Sequence, residues 1–284
     1  MIGSVKRIAV TGSGGFLGSR LVNRLKEDRH HVLSIDLSDG YNLTNWEQVK
    51  DIPPFDAMIH LAGLSFVPES YRSPREFYTT NLLVTLHALE LCRIHNARII
   101  YASSYVYGIP KYLPIDEQHP VSAYNPYAQT KLMGEEMCRA YTRDFSVPNV
   151  IFRMFNLYGP GQSGSFLIPM IVNQAKTGRI QLRDPKPRRD FVYIDDVVEA
   201  YRLAVNYTGN SITLNIGSGE SHSVEEIVSL TCLELPECEI IYTGSDRPVD
   251  IPDTIADCRL AAEILGWHPQ VAFSTGLHSF FTAP

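Results

Sequence analysis

Apolar residues occur in short runs, separated by longer stretches in which they recur every three or four positions. The first run, Ile8 to Val10, leads through glycines into a segment where Phe16, Leu17, Leu21, Val22 and Leu25 share one face. That pattern predicts a strand, a tight turn and an amphipathic helix. Further runs in HHVLSID, AMIHLAG, ARIIYASS and NVIFRMFN predict strands. Helical patterns through REFYTTNLLVTLHALELCRIH and from Tyr127 onward lie between them. Strands alternating with helices call for an α/β fold with a parallel, doubly wound sheet. Beyond Asn156 the elements shorten and Pro and Gly become more frequent. The chain therefore divides into a first half, 1–156, and a smaller lobe, 157–284, with segments around 189–216 returning to the first half.

The turn after the first strand carries Gly12, Gly15 and Gly18, with Gly14 between them. A strand, a glycine turn and a helix N-terminus together suit a pyrophosphate. Bare backbone lets the anion approach, and the unpaired N–H groups of the first helical turn favour it. The next predicted strand ends at Asp36, whose carboxylate suits both ribose hydroxyls of an adenosine and repels a 2′-phosphate. This is a Rossmann-type arrangement with NAD preferred over NADP. Ligands of such sheets lie beyond the carboxyl ends of the strands, where Gly12, Asp36, Gly63, Ser103 and Asn156 all fall. Tyr127 precedes Lys131 by four residues, so on a helix the two side chains are neighbours. Alone, that pair reads more readily as a solvated surface contact, since a chain with 15 Tyr and 25 Lys+Arg offers such spacings by chance.

Composition narrows the setting. With 44% hydrophobic and 20% charged residues, the 284-residue chain is an ordinary globular sequence rather than a disordered one. A formal charge of -6 provides no basic stripe for nucleic acid or for a membrane surface, and the KPRR cluster at 186–189 is too short to supply one. Cys92, Cys138, Cys232, Cys238 and Cys258 show no metal-ligand spacing, which points to reduced thiols in the cytoplasm and to no bound metal. No apolar run approaches a membrane span, and the first strand begins too early to leave room for a signal peptide.

The segments TGSGGFLGS, HLAGLSFVPES, YASSYVYG, NPYAQTKLMGE, FNLYGPGQ, RRDFVYIDDVVEA, NIGSGESHSVEEI, DRPVDIP and LGWHP follow one another in a familiar order. By them the chain resembles the extended short-chain dehydrogenase/reductases of the NAD-dependent epimerase/dehydratase family, nearest its UDP-glucose 4-epimerases. The resemblance spans almost the whole length. It implies that Tyr127 is the acid/base for a sugar hydroxyl, that Lys131 aids its ionisation and binds the nicotinamide ribose, and that Ser103 bonds the same reacting oxygen. A free phenol titrates near ~10, so Tyr127 needs nearby positive charge to ionise at neutral pH.

Other cofactor contacts implied by position are Phe16, Leu17, Leu61, Ala62, Gly63 and Asn81, while His60 reads as structural. Asn42 and Leu43 stand where the family caps adenine, but they follow Asp36 so closely that a crossover helix is trimmed. On the sugar-nucleotide side the resemblance implies Ser104, Tyr105, Asn156, Phe166, Leu167, Arg189, Arg247 and Asp250, the arginines facing the pyrophosphate with planar donors. Dehydratases of the family carry an Asp-Glu pair where this chain has Ser104 and Tyr105, so elimination of water is disfavoured. What remains is 4-epimerisation of a nucleoside-diphosphate hexose through a transient 4-keto sugar. A 4-ketoreductase with the same residues is the alternative; a 4,6-dehydratase and a non-catalytic dinucleotide sensor are less favoured. The resemblance also implies a homodimer built on helices around 77–95 and 127–143, with Leu82, Leu86, Leu89 and Met137 as candidate contacts.

Overall fold

The computed structural model describes residues 4–244 and 251–282. Its elements are β1 (Arg7–Thr11), α1 (Phe16–Glu27), β2 (His31–Ile35), α2 (Trp46–Val49), β3 (Ala57–His60), α3 (Val67–Arg72), α4 (Pro74–His95) and β4 (Arg98–Ser104). There follow α5 (Pro126–Phe145), β5 (Asn149–Met154), β6 (Asn156–Tyr158), α6 (Leu167–Ala175), β7 (Arg179–Leu182), β8 (Arg188–Tyr193), α7 (Ile194–Ala204) and β9 (Ser211–Ile216). The chain ends with β10 (Ser221–Ser223), α8 (Val224–Glu234), β11 (Glu239–Tyr242), α9 (Arg259–Leu265) and α10 (Phe273–Thr282).

Six parallel strands form the main sheet in the order β2-β1-β3-β4-β5-β9. Strands buried on both faces read as continuous apolar runs, because helices cover each side. One face, with Ile8, Val10, Ile100, Phe152 and Leu214, packs under α1 and α7. The other, with Ala9, Met58, Ile99, Tyr101 and Ile151, packs under α4 and α5. The chain leaves β1 for β2 on one side and crosses back to β3 on the other. The crevice between β1 and β3 is thus the switch point where such sheets hold ligands. The crossover between β2 and β3 contains a three-residue 3₁₀ turn, Leu37–Asp39, and the four-residue α2 in place of a full helix, as the trimmed sequence implies.

The predicted strand through Asn156 is divided. β5 ends at Met154, the Phe155 amide bonds the Ile216 carbonyl, and Asn156 opens β6. β6 joins β8 and β10 in a separate three-stranded sheet, so β8 does not return to the main sheet as the 189–216 boundary expects. The return begins at α7, whose apolar face lies on α1 through Val197, Tyr201 and Ala204. Trp267 also belongs to this first core, with its ring N–H donating to the Asp196 carbonyl at 2.8 Å. The lobe has its own core, in which α6, α8 and α10 enclose Ile171, Ile180, Phe191, Ile227 and Phe273. Among the described residues no helix is long and apolar enough to cross a membrane.

Candidate active site

The glycine turn is built by close backbone approach. Gly12 has φ of +67°, and a Cβ there would lie 3.0 Å from the Ala62 nitrogen. A Cβ on Gly18 would meet the Gly12 carbonyl oxygen at 2.0 Å, so α1 can seat on the turn only without a side chain. Gly15 caps α1 with no side-chain bond, and no acidic residue occupies the first helical turn. The amides of Phe16 and Leu17 therefore remain for an anion. The Ser13 hydroxyl is buried without a partner in the same turn. An orphaned donor beside open helix amides fits the pyrophosphate of a dinucleotide.

Asp36 follows β2 and accepts from the amides of Gly14 at 3.1 Å and Ser38 at 3.0 Å, and from the Ser38 hydroxyl at 2.9 Å. Burial pushes its carboxyl up, but these bonds outweigh it and leave the pKa below the usual range. A fixed negative charge at this point opposes a 2′-phosphate. Across the crevice, the Thr11 hydroxyl accepts from the amides of Leu61 and Ala62 and bonds His60 at 2.8 Å. Burial, with the Lys131 charge nearby, lowers His60 to about 3, so this imidazole is neutral and structural. Gly63 has φ of +152°, and a Cβ on it would come 3.0 Å from the Asn81 amide oxygen. Asn81 holds Leu64 through both its amide and its carbonyl, and donates to Thr130 on α5. Asn81 thus joins the β3 loop to the helix that carries Lys131.

The adenine assignment changes. Leu43 is a core residue packed with Val49, Ile52, Val84 and Leu89, and its carbonyl bonds His87. The Asn42 side-chain oxygen accepts from the Thr44 amide and hydroxyl. With α2 so short, the segment lies against α4, and the Leu43 side chain is almost wholly buried there.

Helix α5 starts where the sequence requires. The Asn125 side chain accepts from the Ala128 amide at 2.7 Å, and Pro126 occupies the first turn. Tyr127 and Lys131 therefore share a face, with the Lys131 Nζ lying 5.9 Å from the centre of the Tyr127 ring. Nζ donates to the Ala102 carbonyl at 2.8 Å, and burial lowers its pKa to about 8. Burial raises the Tyr127 phenol, and a hydrogen bond with Ser104 pulls it back down.

That bond corrects the serine assignment. Ser103 is fully buried, and its hydroxyl donates to Glu135 at 2.6 Å, on the face of the sheet that packs under α5. Successive strand side chains point to opposite faces, so the hydroxyl beside the phenol comes from Ser104. Glu135 was missed in the sequence although it lies four residues beyond Lys131 on the same helical stripe. The partnerless Ser13 hydroxyl was missed as well, since nothing in a glycine motif distinguishes it.

Of the remaining substrate-side residues, Tyr105 packs edge-on to Tyr107 and Phe155 and donates to the Gly108 carbonyl at 2.6 Å. Burial pushes its phenol far up, and the neighbouring Arg189 charge pulls the other way. Arg189 also donates to the carbonyls of Arg188 and Ile251. Asn156 donates to the Asp190 carbonyl at 3.0 Å. Phe166 precedes α6 and meets Phe66 edge to face at 5.9 Å, while Leu167 opens that helix against the lobe core. Arg247 and Asp250 lie outside the described residues.

A glycine turn at the switch point and a Tyr-Lys face at the end of β4 define a dinucleotide-dependent enzyme of the extended short-chain dehydrogenase/reductase class. Comparison with known proteins agrees. The profile of the NAD dependent epimerase/dehydratase family matches residues 8–217. A protein of Methanocaldococcus jannaschii named as a putative UDP-glucose 4-epimerase is 31% identical, over 95% of each chain. The GDP-6-deoxy-D-mannose reductase of Pseudomonas aeruginosa is 28% identical, over 98% of this chain and 96% of its own. The structure of UDP-glucose 4-epimerase from Thermotoga maritima with UDP-glucose superposes with a TM-score of 0.90 at 26% identity, covering 97% of this chain and 98% of that one. The chain belongs to the NAD dependent epimerase/dehydratase family, and NAD is its cofactor.

Proposed function

We propose that the protein is an NAD-dependent nucleotide-sugar 4-epimerase acting on a UDP-hexose in the cytoplasm. The observation that carries this reading is the Tyr127 phenol, set beside the Ser104 hydroxyl and on one helical face with Lys131, with no carboxylate at positions 104 and 105. When bound, NAD supplies the oxidising and reducing equivalent. Tyr127 takes the proton of the 4-hydroxyl and later returns it to the opposite epimer. Ser104 bonds the same oxygen and keeps the phenol oriented. Lys131, anchored on the Ala102 carbonyl, brings positive charge to a phenol that burial alone holds in its protonated form. Tyr105 donates to backbone and stays protonated, so it abstracts nothing from carbon. Arg189 takes the diphosphate, and Asn156 the sugar.

The reductase relative favours 4-ketoreduction as the second reading. A panel of UDP-, GDP- and dTDP-sugars, assayed with and without added NAD(P)H, separates the two. Epimerisation of UDP-glucose to UDP-galactose without added reductant is expected. Turnover only of a 4-keto sugar, with stoichiometric consumption of NAD(P)H, would replace epimerase by reductase.

Homodimerisation through α4 and α5 belongs to the same proposal. Leu86, Ile94, Met133 and Phe145 are exposed on these helices, whereas Leu89 lies in the core and Leu82 and Met137 are half-buried. Light scattering at micromolar concentration is expected to give twice the chain mass; a single-chain mass would remove the dimer.

A further inference from the structure

Glu135 is a buried carboxylate for which the reaction above has no use. It is completely inaccessible, on the same helical stripe as Tyr127 and Lys131. Its Oε1 accepts from the Ser103 hydroxyl at 2.6 Å and from Arg153 Nε at 2.9 Å. Its Oε2 accepts from Arg153 at 2.7 Å and from Arg139 at 2.8 Å. Ser103 and Arg153 are themselves register partners on β4 and β5. Burial pushes the carboxyl up, but the arginine and serine bonds outweigh it and keep it ionised. The carboxylate therefore ties α5 to the ends of two strands.

The position of that tie relative to the chemistry is informative. Ser103 stands between Ala102, whose carbonyl takes the Lys131 Nζ, and Ser104, whose hydroxyl neighbours the Tyr127 phenol and lowers its pKa. Any slide of β4 along α5 moves both contacts at once. We propose that Glu135 is a positioning residue: through Ser103 it fixes the last turn of β4 against α5, so that Ala102 and Ser104 hold Lys131 and Tyr127 in place. Ser103 then acts through Glu135 and does not touch the sugar. This inference rests on Tyr127 as the acid/base of the proposed reaction.

The test reads Tyr127 ionisation in the NAD-bound, sugar-free enzyme by ultraviolet difference absorbance against pH, with Tyr127→Phe as the blank. Ser103→Ala deletes one hydroxyl and leaves the Glu135 ion cluster whole. Its tyrosinate midpoint is expected to move upward by about one pH unit, as Ser104 and Lys131 fall out of register. In the assay its kcat should fall by about ten-fold while KM stays within about two-fold, the signature of misplacement rather than lost binding. Glu135→Asp keeps the charge for both arginines but withdraws the reach to Ser103, and should show the same shift. The double variant should add nothing, because coupled residues are not additive. An unmoved midpoint in Ser103→Ala, or a raised KM with kcat unchanged, overturns the proposal in favour of direct sugar contact. Should Glu135→Asp fail to fold, the Ser103→Ala midpoint still decides. Activity surviving in Tyr127→Phe would sink the acid/base reading instead, whatever the midpoint does.

Discussion

Replacing Tyr127 with Phe is expected to lower turnover by ~10²–10⁴-fold, the usual contribution of a positioned proton transfer. The variant loses one oxygen and keeps the ring. The ring's place over Lys131 and the helix start at Asn125 and Pro126 do not depend on the hydroxyl, so folding and NAD affinity should be unchanged. The only polar partner stranded is Ser104, which is half-buried and close enough to solvent to find a replacement. Steady-state kinetics on a converted sugar, with NAD titration alongside, check both halves of this expectation. Near-full turnover would return the Tyr-Lys pair to a structural stack. A loss of NAD binding together with turnover would show that the hydroxyl serves the cofactor rather than the proton.

The cofactor half was readable because its signals are local. The strand, glycine turn and helix that run from Ile8 to Leu25 are contiguous, and Gly15 and Gly18 answer steric demands of Gly12 and Ser13 within the same turn. The start of α5 was readable for the same reason, since its cap, its proline and the Tyr-Lys spacing all fall within seven positions. Non-local placement was less accessible. Whether Ser103 or Ser104 faces the phenol is a question of strand phase, set by the pairing of β4 with β5 and by the Glu135 cluster, and neighbouring serines carry no sign of it. The burial of Leu43 depends on how far a shortened crossover drops towards α4, a distance fixed by packing with Val84 and Leu89. Asn156 looked like the end of a strand because the apolar run is continuous. The break at Phe155 arises from the bond to the Ile216 carbonyl of β9, more than fifty residues away. The substrate lobe was least legible, being assembled from short strands whose partners are far apart in sequence.

The second large effect belongs to a position that was visible from the start. Gly18→Ala adds one methyl group where the nearest atom is the Gly12 carbonyl oxygen at 2.0 Å, with the Gly12 carbonyl carbon and the Ser13 Cα both at 2.9 Å. All three belong to main chain, so no flexible side chain can give way. Helix α1 must lift off the turn, and overpacking of this kind typically costs about 1–3 kcal/mol. Leu21 and Leu25, fully buried on the same helix, resist the shift because they anchor it in the first core. The displacement therefore falls on the turn itself, where the open amides and the Ser13 hydroxyl lie. NAD affinity is expected to fall by about ten- to a hundred-fold, at 1.4 kcal/mol for each factor of ten, with a lower melting temperature. Ser19→Ala, one residue further along on the exposed side of the helix, should leave both unchanged. Calorimetric titration of NAD into the two variants makes the comparison. Unaltered affinity in Gly18→Ala would mean that the dinucleotide does not depend on the close seat of α1 against Gly12, and the pyrophosphate assignment of the turn would have to be given up.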